Sequence, residues 1–358
     1  MHLIHLTCER FRGLAPIEFE PARGMNVIQG RNAQGKTSLL ESILYLATSK
    51  SHRTNSESEL VQHGEEGFRI TGRVQRNDRE VALETNWWKG QKRFKVNNVA
   101  QPRMSDLLGH VNVVFFAPED TALVRGAASA RRKFLDMELS QLYPLYLRAL
   151  QEYRLLLKQR NELLRQHKPD AAMLDVWDAQ LAKHGETIIR ERTRFVDRLA
   201  ALAADAYSKL AEGETMTLQY KPDIKSGAPY IDILGSSRDK DLRHQVTERG
   251  PHRDDLDFAI ETKSARRLAS QGQQRTAALA VKLAEFEFIR EHTGEYPLLM
   301  LDDALSELDA ARSERLFTLL PEDAQCFLTT TDLAKLPDVA TGTMTRYTIE
   351  AGALRLDT

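Results

Sequence analysis

Apolar residues are spaced in two different ways along the chain, and the two spacings predict two kinds of structure. In the first part of the chain, short segments such as 68–74 and 81–85 alternate apolar and polar positions between Asn, Asp and Gly turns. This alternation is typical of strands with one buried face. Residues 25–28 also have the character of a short strand. The uninterrupted apolar run at 297–301 indicates a strand buried on both faces of a parallel sheet, so we predict an α/β fold with mixed sheets.

The middle of the chain has helical periodicity instead. Apolar residues recur at intervals of three, four and seven over 146–164 and 174–206, and Lys168-Pro169-Asp170 separates the two stretches. We predict an antiparallel helical hairpin in which these residues form the packing seam, with His184 as a seam residue. Residues 217–234 then return to a strand-like pattern.

This change of pattern divides the predicted fold into a split head, residues 1–118 and 249–358, and an inserted, mainly helical arm, residues 119–248. The 358 residues contain 50 Lys and Arg against 51 Asp and Glu, a net charge of −1, so any nucleic-acid site must be a local patch. Cys8 and Cys326 lack the spacing of metal ligands, which favours a reduced, cytoplasmic protein. Since no secretory signal pattern and no apolar run of transmembrane length occur, we expect no membrane association.

The segment from residue 30 to residue 37 fits the phosphate-binding pattern G-x-x-x-x-G-K-[ST], the P-loop. Backbone N–H groups of such a loop, and of the helix that it opens, point at phosphates. Lys36 is expected to reach the β- and γ-phosphates with a catalytic role, and the Thr37 hydroxyl to ligate Mg²⁺. The predicted ATP-binding residues of this loop are Gly30, Arg31, Asn32, Ala33, Gln34, Gly35, Lys36 and Thr37.

Two carboxylates follow the apolar run 297–301 at its carboxyl end. Asp302 is placed to hold the magnesium ion together with Thr37, directly or through water, and Asp303 to polarise an attacking water. Both are predicted catalytic residues. A buried strand followed by an aspartate that caps a helix is the structural alternative.

A polar segment, Ala269–Arg275, precedes a run of helix-forming residues. Its Ser270, Gly272 and Gln273 resemble the signature motif of ABC-type ATPases, and Ser306–Asp309 resembles their D-loop. The resemblance implies that a serine hydroxyl and backbone amides at a helix N-terminus complete the phosphate site of a second subunit, so that ATP drives homodimerisation. A polar loop that only caps a helix is the alternative interpretation of this segment.

Among ABC-type ATPases, the chain resembles the RecF family nearly from end to end, with a head similar to those of Rad50 and SMC proteins but without their long coiled coil. The resemblance rests on seven phrases: Glu9–Arg12, Lys50–Arg53, Ala117–Asp120, Arg131–Asp136, Gln159–Asn161, Gly250–Asp255 and Thr329–Asp332. It implies an ATP-dependent homodimer that clamps DNA at junctions or gaps in recombinational repair and replication-fork maintenance. It also implies recombination mediators such as RecR and RecO as partners, ATP hydrolysis for release, and a place for Arg12 in the nucleotide site.

Two departures from the general ABC pattern affect the predicted chemistry. Asp303 stands where a glutamate is usual, and threonines at 329–331 stand where a switch histidine is usual. We expect slow hydrolysis, since the shorter Asp303 side chain must position the water. Two other functions stay open: a nucleotide-binding subunit of a membrane transporter, which the arm and the missing histidine disfavour, and a docking module that holds ATP without hydrolysing it.

Basic and aromatic residues cluster between residues 86 and 105, where no acidic residue occurs. This combination suits phosphate neutralisation with base stacking. A hairpin with a solvated cationic face and inward aromatic side chains is the alternative. Arg131–Lys133 is a second candidate that equally suits a structural helix start, and the balanced charges of the arm favour protein partners there. The candidate DNA-binding residues are Lys89, Lys92, Arg93, Lys95 and, after the P-loop helix, Arg53.

Overall fold

The computed structural model describes residues 1–225, 227, 229–337 and 344–357, and for Ser105 and Glu307 it describes the backbone alone. The chain divides into two compact units. Unit 1 comprises Met1–Thr121, Asp205–Glu214 and Ser270–Thr358, and unit 2 comprises Ala122–Ala204 and Thr215–Ala269. These boundaries differ from the predicted ones. Residues 205–214, predicted in the arm, belong to unit 1, and residues 249–269, predicted in the head, belong to unit 2.

Both units contain strands and helices. In chain order, the strands are β1 (His2–Glu9), β2 (Ile17–Phe19), β3 (Met25–Gln29), β4 (Gly67–Arg76), β5 (Arg79–Trp88), β6 (Gln91–Val96), β7 (Val99–Gln101), β8 (Val113–Phe116), β9 (Met216–Lys221), β10 (Asp255–Ile260), β11 (Lys263–Ser264), β12 (Leu298–Leu301), β13 (Cys326–Thr330), β14 (Met344–Glu350) and β15 (Ala353–Leu356). The α-helices are α1 (Lys36–Thr48), α2 (Ala122–Arg125), α3 (Ala128–Leu142), α4 (Pro144–Leu164), α5 (Ala171–Leu210), α6 (Tyr230–His244), α7 (Ala265–Leu268), α8 (Gln271–Thr293) and α9 (Ala310–Leu319).

Unit 1 contains an antiparallel sheet with the strand order β2-β1-β4-β5-β6-β7. Its residues alternate in burial as the sequence pattern predicts. In β4, for example, Phe68, Ile70 and Val74 are buried while Arg69 and Arg73 are exposed. One face of this sheet therefore belongs to the hydrophobic core of unit 1.

A second sheet of unit 1 carries the P-loop. Its order is β15-β14-β3-β13-β12-β8, and all neighbouring pairs are parallel except β14 with β15. Every residue of β12 and β13 is buried, as expected for central strands of a parallel sheet. Helix α1 packs Leu39, Leu40 and Ile43 into a core that contains side chains of both sheets. Each such buried side chain contributes about 2 kcal/mol of hydrophobic free energy.

Unit 2 contains the predicted helical hairpin. Helices α4 and α5 are separated by residues 165–170 and run antiparallel, as the Arg160–Asp178 ion pair near the connection and the Tyr146–Arg192 hydrogen bond away from it indicate. Tyr146 and most of the other predicted seam residues are buried. The seam is less apolar than predicted, because the fully buried Arg160 bonds to Asp178, Asp241 and Thr247.

A small sheet in unit 2 explains why this unit extends beyond residue 249. Strand β10 pairs antiparallel with β9, with Asp257 opposite Gln219, and β11 pairs with β10. The strand-like stretch predicted for 217–234 is only partly a strand, since α6 begins at Tyr230. Over the described part of the chain, none of the helices has the length and apolar character needed to cross a membrane.

Candidate functional site

The P-loop lies between β3 and α1, at the carboxyl edge of the parallel sheet. Its backbone is tight: Gly35 has a φ of 110° and Ala33 a φ of 64°, both in the left-handed region. A Cβ added at Gly30 would come within 2.5 Å of the Ile349 carbonyl oxygen. Glycine is therefore required at 30 by close packing and at 35 by backbone conformation.

Lys36 crosses this loop with its side chain. Its ammonium donates hydrogen bonds to the carbonyl oxygens of Gly30, at 2.6 Å, and Arg31, at 3.0 Å. Burial lowers the pKa of Lys36, while the negative charges of Asp303 and Asp302 act in the opposite direction. The lysine thus lies in the field of both predicted catalytic carboxylates.

Asp302 is held by two threonine hydroxyls. Thr37 Oγ1 donates to Asp302 Oδ2 at 2.7 Å, and Thr329 Oγ1 donates to Oδ1 at 2.6 Å. The three residues meet because β3, β13 and β12 are parallel neighbours whose carboxyl ends share one edge. Burial raises the pKa of Asp302, the two hydroxyl bonds lower it, and the nearby charge of Asp303 raises it further.

Thr37 and Asp302 fit the ligand preferences of Mg²⁺. They place a hydroxyl and a carboxylate oxygen 2.7 Å apart, and Mg²⁺ usually combines one or two such protein oxygens with phosphate oxygens and water. Among the described residues, no group of three or more His, Cys, Asp or Glu could hold a metal ion. Thr37 and Asp302 are thus suited to a magnesium ion that is bound together with a nucleotide.

Asp303 occupies a strained turn after β12. Its φ and ψ of 49° and 29° are left-handed, and its N–H donates to Thr329 Oγ1 at 2.9 Å. Its side chain lines a small cavity together with Phe116, Pro118 and Arg275. Thr329 therefore contacts both carboxylate residues. The predicted site residues omit Thr329, although it lies near the carboxyl end of an apolar strand, as Asp302 does directly after β12.

Ser270 is the N-cap of α8 and forms a capping box. The Gln273 N–H donates to Ser270 Oγ at 3.2 Å, and the Ser270 N–H donates to Gln273 Oε1 at 3.0 Å. Ser270 is exposed, and the bond that its oxygen accepts leaves the hydroxyl proton available to a ligand. The alternative interpretation, a helix cap, is therefore correct as local structure and is compatible with a phosphate contact.

The predicted D-loop lies beside this helix start. Asp309 caps α9 by accepting from the Arg312 N–H at 2.8 Å, and its other oxygen pairs with the Arg312 guanidinium at 3.1 Å. A Cβ added at Gly272 would have that guanidinium as its nearest neighbour, at 3.6 Å. The signature and D-loop segments therefore lie on one surface of unit 1.

Arg12 binds a carboxylate of the P-loop helix. Its guanidinium donates two hydrogen bonds to Glu41, each 3.0 Å long, and one to the Glu59 carbonyl at 2.9 Å. The Glu41 side chain is fully buried, so this bidentate pair fixes the chain around Arg12 to α1. The predicted contact between Arg12 and a nucleotide stays a prediction.

Lys92 does not have the exposure expected of a DNA contact. Its ammonium donates to the Ser49 carbonyl at 2.8 Å and to Glu57 at 2.7 Å, and it lies over the Tyr45 ring at 4.8 Å. Ser49 is the C-cap of α1, where a positive charge is favourable. Lys92 lies soon after the turn between β5 and β6, and this position places its side chain against the end of the P-loop helix.

The other predicted DNA-binding residues lie nearer to solvent, but neighbouring strands and loops supply acidic or polar partners. Lys89 pairs with Glu66 at 2.9 Å, Lys95 with Glu84 at 3.3 Å, and Arg93 with Gln91 at 3.2 Å. Arg53 and Arg93 are exposed. The absence of acidic residues from 86–105 does not make this surface purely cationic, because Glu66 and Glu84, which precede that stretch in the sequence, provide carboxylates beside it.

Arg131 and His52 both contact other side chains of the fold. The Arg131 guanidinium is 2% exposed and makes two hydrogen bonds to Asp255, which identifies it as a buried helix anchor and not as a DNA contact. The His52 ring lies 4.3 Å from that of Phe115. Burial lowers the pKa of His52 to about 4, so the imidazole is neutral at physiological pH.

A P-loop, a carboxylate pair at the end of a buried parallel strand and a signature segment that starts a long helix together define an ABC-type ATPase head. The family model for the RecF/RecN/SMC N terminal domain matches residues 2–345. Structures of SMC heads bound to ScpA domains have TM-scores of 0.58 at 15–16% identity, which supports the fold alone.

Relatives of higher sequence identity show to which family of ABC-type ATPases the chain belongs. The chain is 41% identical to the DNA replication and repair protein RecF of Pediococcus pentosaceus, over 93% of both chains. It is 38% identical to that of Listeria monocytogenes serotype 4b, over 99% of this chain and 100% of the other. A solved structure of the recombination mediator protein RecF-ATP in the RecFOR pathway has a TM-score of 0.92 at 32% identity, covering 100% of this chain and 98% of that one. The chain belongs to the RecF family.

Proposed function

We propose that this protein is an ATP-gated DNA clamp that acts in the replication and recombinational repair of DNA. The observation that supports this function most directly is the bond between Thr37 and Asp302, which joins the P-loop to the carboxylate strand. Relatives named as DNA replication and repair proteins, and a similar protein solved with ATP, support the same function.

In this proposal the P-loop residues 30–37 bind the phosphates of ATP. Lys36 exchanges its bonds to the loop carbonyls for bonds to the β- and γ-phosphates, and Thr37 and Asp302 hold Mg²⁺. Magnesium supplies charge neutralisation for the phosphates. Thr329 keeps the Asp302 carboxylate oriented through its hydroxyl bond.

Hydrolysis depends on Asp303 and is slow. The charge of Asp303 acts on the P-loop lysine, so its carboxylate lies close enough to the phosphate site to orient a water toward the γ-phosphate. An aspartate reaches one methylene less far than the usual glutamate, so the water is held less well in line. Slow turnover suits ATP as a timing switch for release from DNA.

ATP closes two copies of the chain around the nucleotides. Ser270, Gly272 and Gln273 of one copy face the γ-phosphate bound by the other, and the N-terminus of α8 provides a favourable dipole. DNA is then held at junctions or gaps by exposed basic residues such as Arg53, Arg93 and Lys89. We further propose that RecR and RecO are partners and that the protein acts in the cytoplasm, where the bacterial chromosome lies.

The experiment is light scattering of the wild type and of Lys36→Ala, with and without Mg-ATP and a gapped duplex. We expect the wild type to dimerise with ATP and to bind the duplex in that state. Lys36→Ala loses charged hydrogen bonds to phosphate, so its ATP affinity falls about tenfold or more and it stays monomeric. The exposed Lys183→Ala in α5 is the matched control. A wild type that stays monomeric with ATP, or a mutant that dimerises equally well, contradicts the proposal.

A further inference from the structure

The C-terminal hairpin of β14 and β15 lies beside the P-loop. Strand β14 is parallel to β3, with Tyr347 opposite Ile28 and Thr348 opposite Gln29. The turn after β14 therefore reaches the same sheet edge as the loop after β3. This turn consists of Ala351 and Gly352, the residues between the two strands.

Gln34 bonds to this turn through both its side chain and its backbone. The Ala351 N–H donates to Gln34 Oε1 at 2.6 Å, and the Gly352 N–H donates to the Gln34 carbonyl at 3.0 Å. The Gly352 carbonyl in turn accepts from the Ala15 N–H at 3.1 Å. The turn thus connects the P-loop to the chain after β1.

The turn has a conformation that its sequence disfavours. Ala351 and Gly352 have φ values of 45° and 78°, so both are left-handed, as in the hairpin turns that prefer Asn-Gly. An alanine at the first position is strained. Ala33, which precedes Gln34, is left-handed as well. Two strained segments are therefore joined by the Gln34 hydrogen bonds, which help to hold both.

The hairpin and the segment after β1 pack closely against the P-loop and against each other. A Cβ at Gly35 would lie 2.9 Å from Leu14 Cδ2 and 3.2 Å from Ile349 Cδ1. A Cβ at Gly352 would overlap the Gly13 carbonyl oxygen. Gly30 and Gly35 thus leave space for Ile349 of the hairpin on one side of the loop. This requirement for glycine is independent of any contact with phosphates on the other side.

We propose that the C-terminal hairpin is a clamp that holds the P-loop in its phosphate-binding conformation before nucleotide arrives, and that Gln34 is its positioning residue. Gln34 then acts on ATP through the shape of the loop, since its side-chain oxygen bonds to the hairpin. The inference rests on the proposed ATP binding for its functional consequence. The clamp itself is a property of the nucleotide-free protein.

The test compares wild type, Gln34→Ala and Arg355→Ala, an exposed change in the same hairpin. Two quantities are measured: the affinity for ATP and ADP, and hydrogen exchange of the amides of residues 30–37 without nucleotide. For Gln34→Ala we expect about fivefold weaker binding of both nucleotides, the effect of one hydrogen bond, and faster exchange of the P-loop. Ala351→Asn keeps the N–H and relieves the turn, so its exchange should be as slow as that of the wild type or slower.

The two measurements separate the possible failures. Weaker nucleotide binding by Gln34→Ala with unchanged hydrogen exchange would mean that Gln34 contacts the nucleotide directly. If Gln34→Ala changes neither the nucleotide affinity nor the hydrogen exchange of the P-loop, the hairpin does not order the loop. Either result overturns the clamp. If the wild type binds neither nucleotide, the proposed function fails, while the exchange measurement still decides whether Gln34 orders the loop.

Discussion

At the scale of single residues, the proposed positioning of the attacking water depends on Asp303. Its backbone N–H is bound to Thr329, so the strained turn is held by a contact that does not involve the Asp303 side chain. The carboxylate can therefore be changed without removing that bond. This separation makes Asp303 a cleaner test of the chemistry than Asp302, whose carboxylate holds Thr37 and Thr329 in place.

We predict that Asp303→Asn retains ATP binding and ATP-dependent dimerisation but hydrolyses ATP about 100-fold more slowly, because an amide cannot accept a proton from water. Steady-state phosphate release at saturating Mg-ATP measures this, with light scattering for assembly. Asp303→Glu is the informative partner variant, since it restores the usual reach and should hydrolyse at least as fast as the wild type. Turnover unaffected by Asp303→Asn would assign the water to another residue.

At the scale of secondary-structure elements, Arg131 fastens α3 to β10 in unit 2. Its guanidinium bonds to Asp255 and to the carbonyls of Leu123 and Gly126, and it is almost completely buried. Lys133, two residues later on the same helix, is exposed. Arg132, between them, donates to the Asp254 carbonyl at 2.9 Å. The basic triplet that suggests a DNA contact in the sequence therefore contains two arginines with structural hydrogen bonds and one surface lysine.

We predict that Arg131→Met destabilises the protein by about 2 kcal/mol, because it removes the ion pair of the partly exposed Asp255 and leaves two carbonyl oxygens without their donor. Lys133→Ala should change stability by less than about 0.5 kcal/mol. Urea denaturation of both variants measures the difference. Full stability of Arg131→Met combined with weaker DNA binding would make Arg131 a DNA contact after all.

Local patterns predict the elements of this protein better than they predict which elements touch. The strand predicted at 297–301, the strand and helix on either side of the P-loop, and the helices predicted over 146–164 and 174–206 follow from patterns among neighbours in sequence. The structure confirms each of these elements. The burial of Lys92 against the end of α1 and the contact of Gln34 with Ala351 depend on sheet order. Periodicity identifies a buried face, but it does not identify the distant segment that covers it.

At the scale of the whole molecule, the proposed function assigns two halves of a composite site to each copy of the chain. The P-loop with Asp302 is one half, and the exposed cap at Ser270 is the other. In the proposed dimer, a two-fold axis would bring each half against its complement, so that the closed dimer would contain two equivalent sites. The proposed closure requires a small side chain at Ser270.

We predict that Ser270→Arg binds ATP as a monomer but does not dimerise, because the longer side chain fills the space reserved for the γ-phosphate of the other copy. Light scattering with Mg-ATP should give the monomer mass of 40.7 kDa for this variant and twice that mass for the wild type. Ser236→Arg, the same change at an exposed serine of α6, is the control and should dimerise normally.

The capping role of Ser270 must be separated from this effect, because loss of the cap costs about 1 kcal/mol by itself. Ser270→Asn keeps a good capping side chain, so a dimerisation defect shared by Ser270→Asn and Ser270→Arg reflects the lost hydroxyl or the added bulk and not a frayed α8. Loss of ATP affinity in monomeric Ser270→Arg would mean that the serine acts within its own copy. Normal dimerisation of Ser270→Arg would mean that Ser270 does not lie at the dimer interface, and it would contradict the composite site.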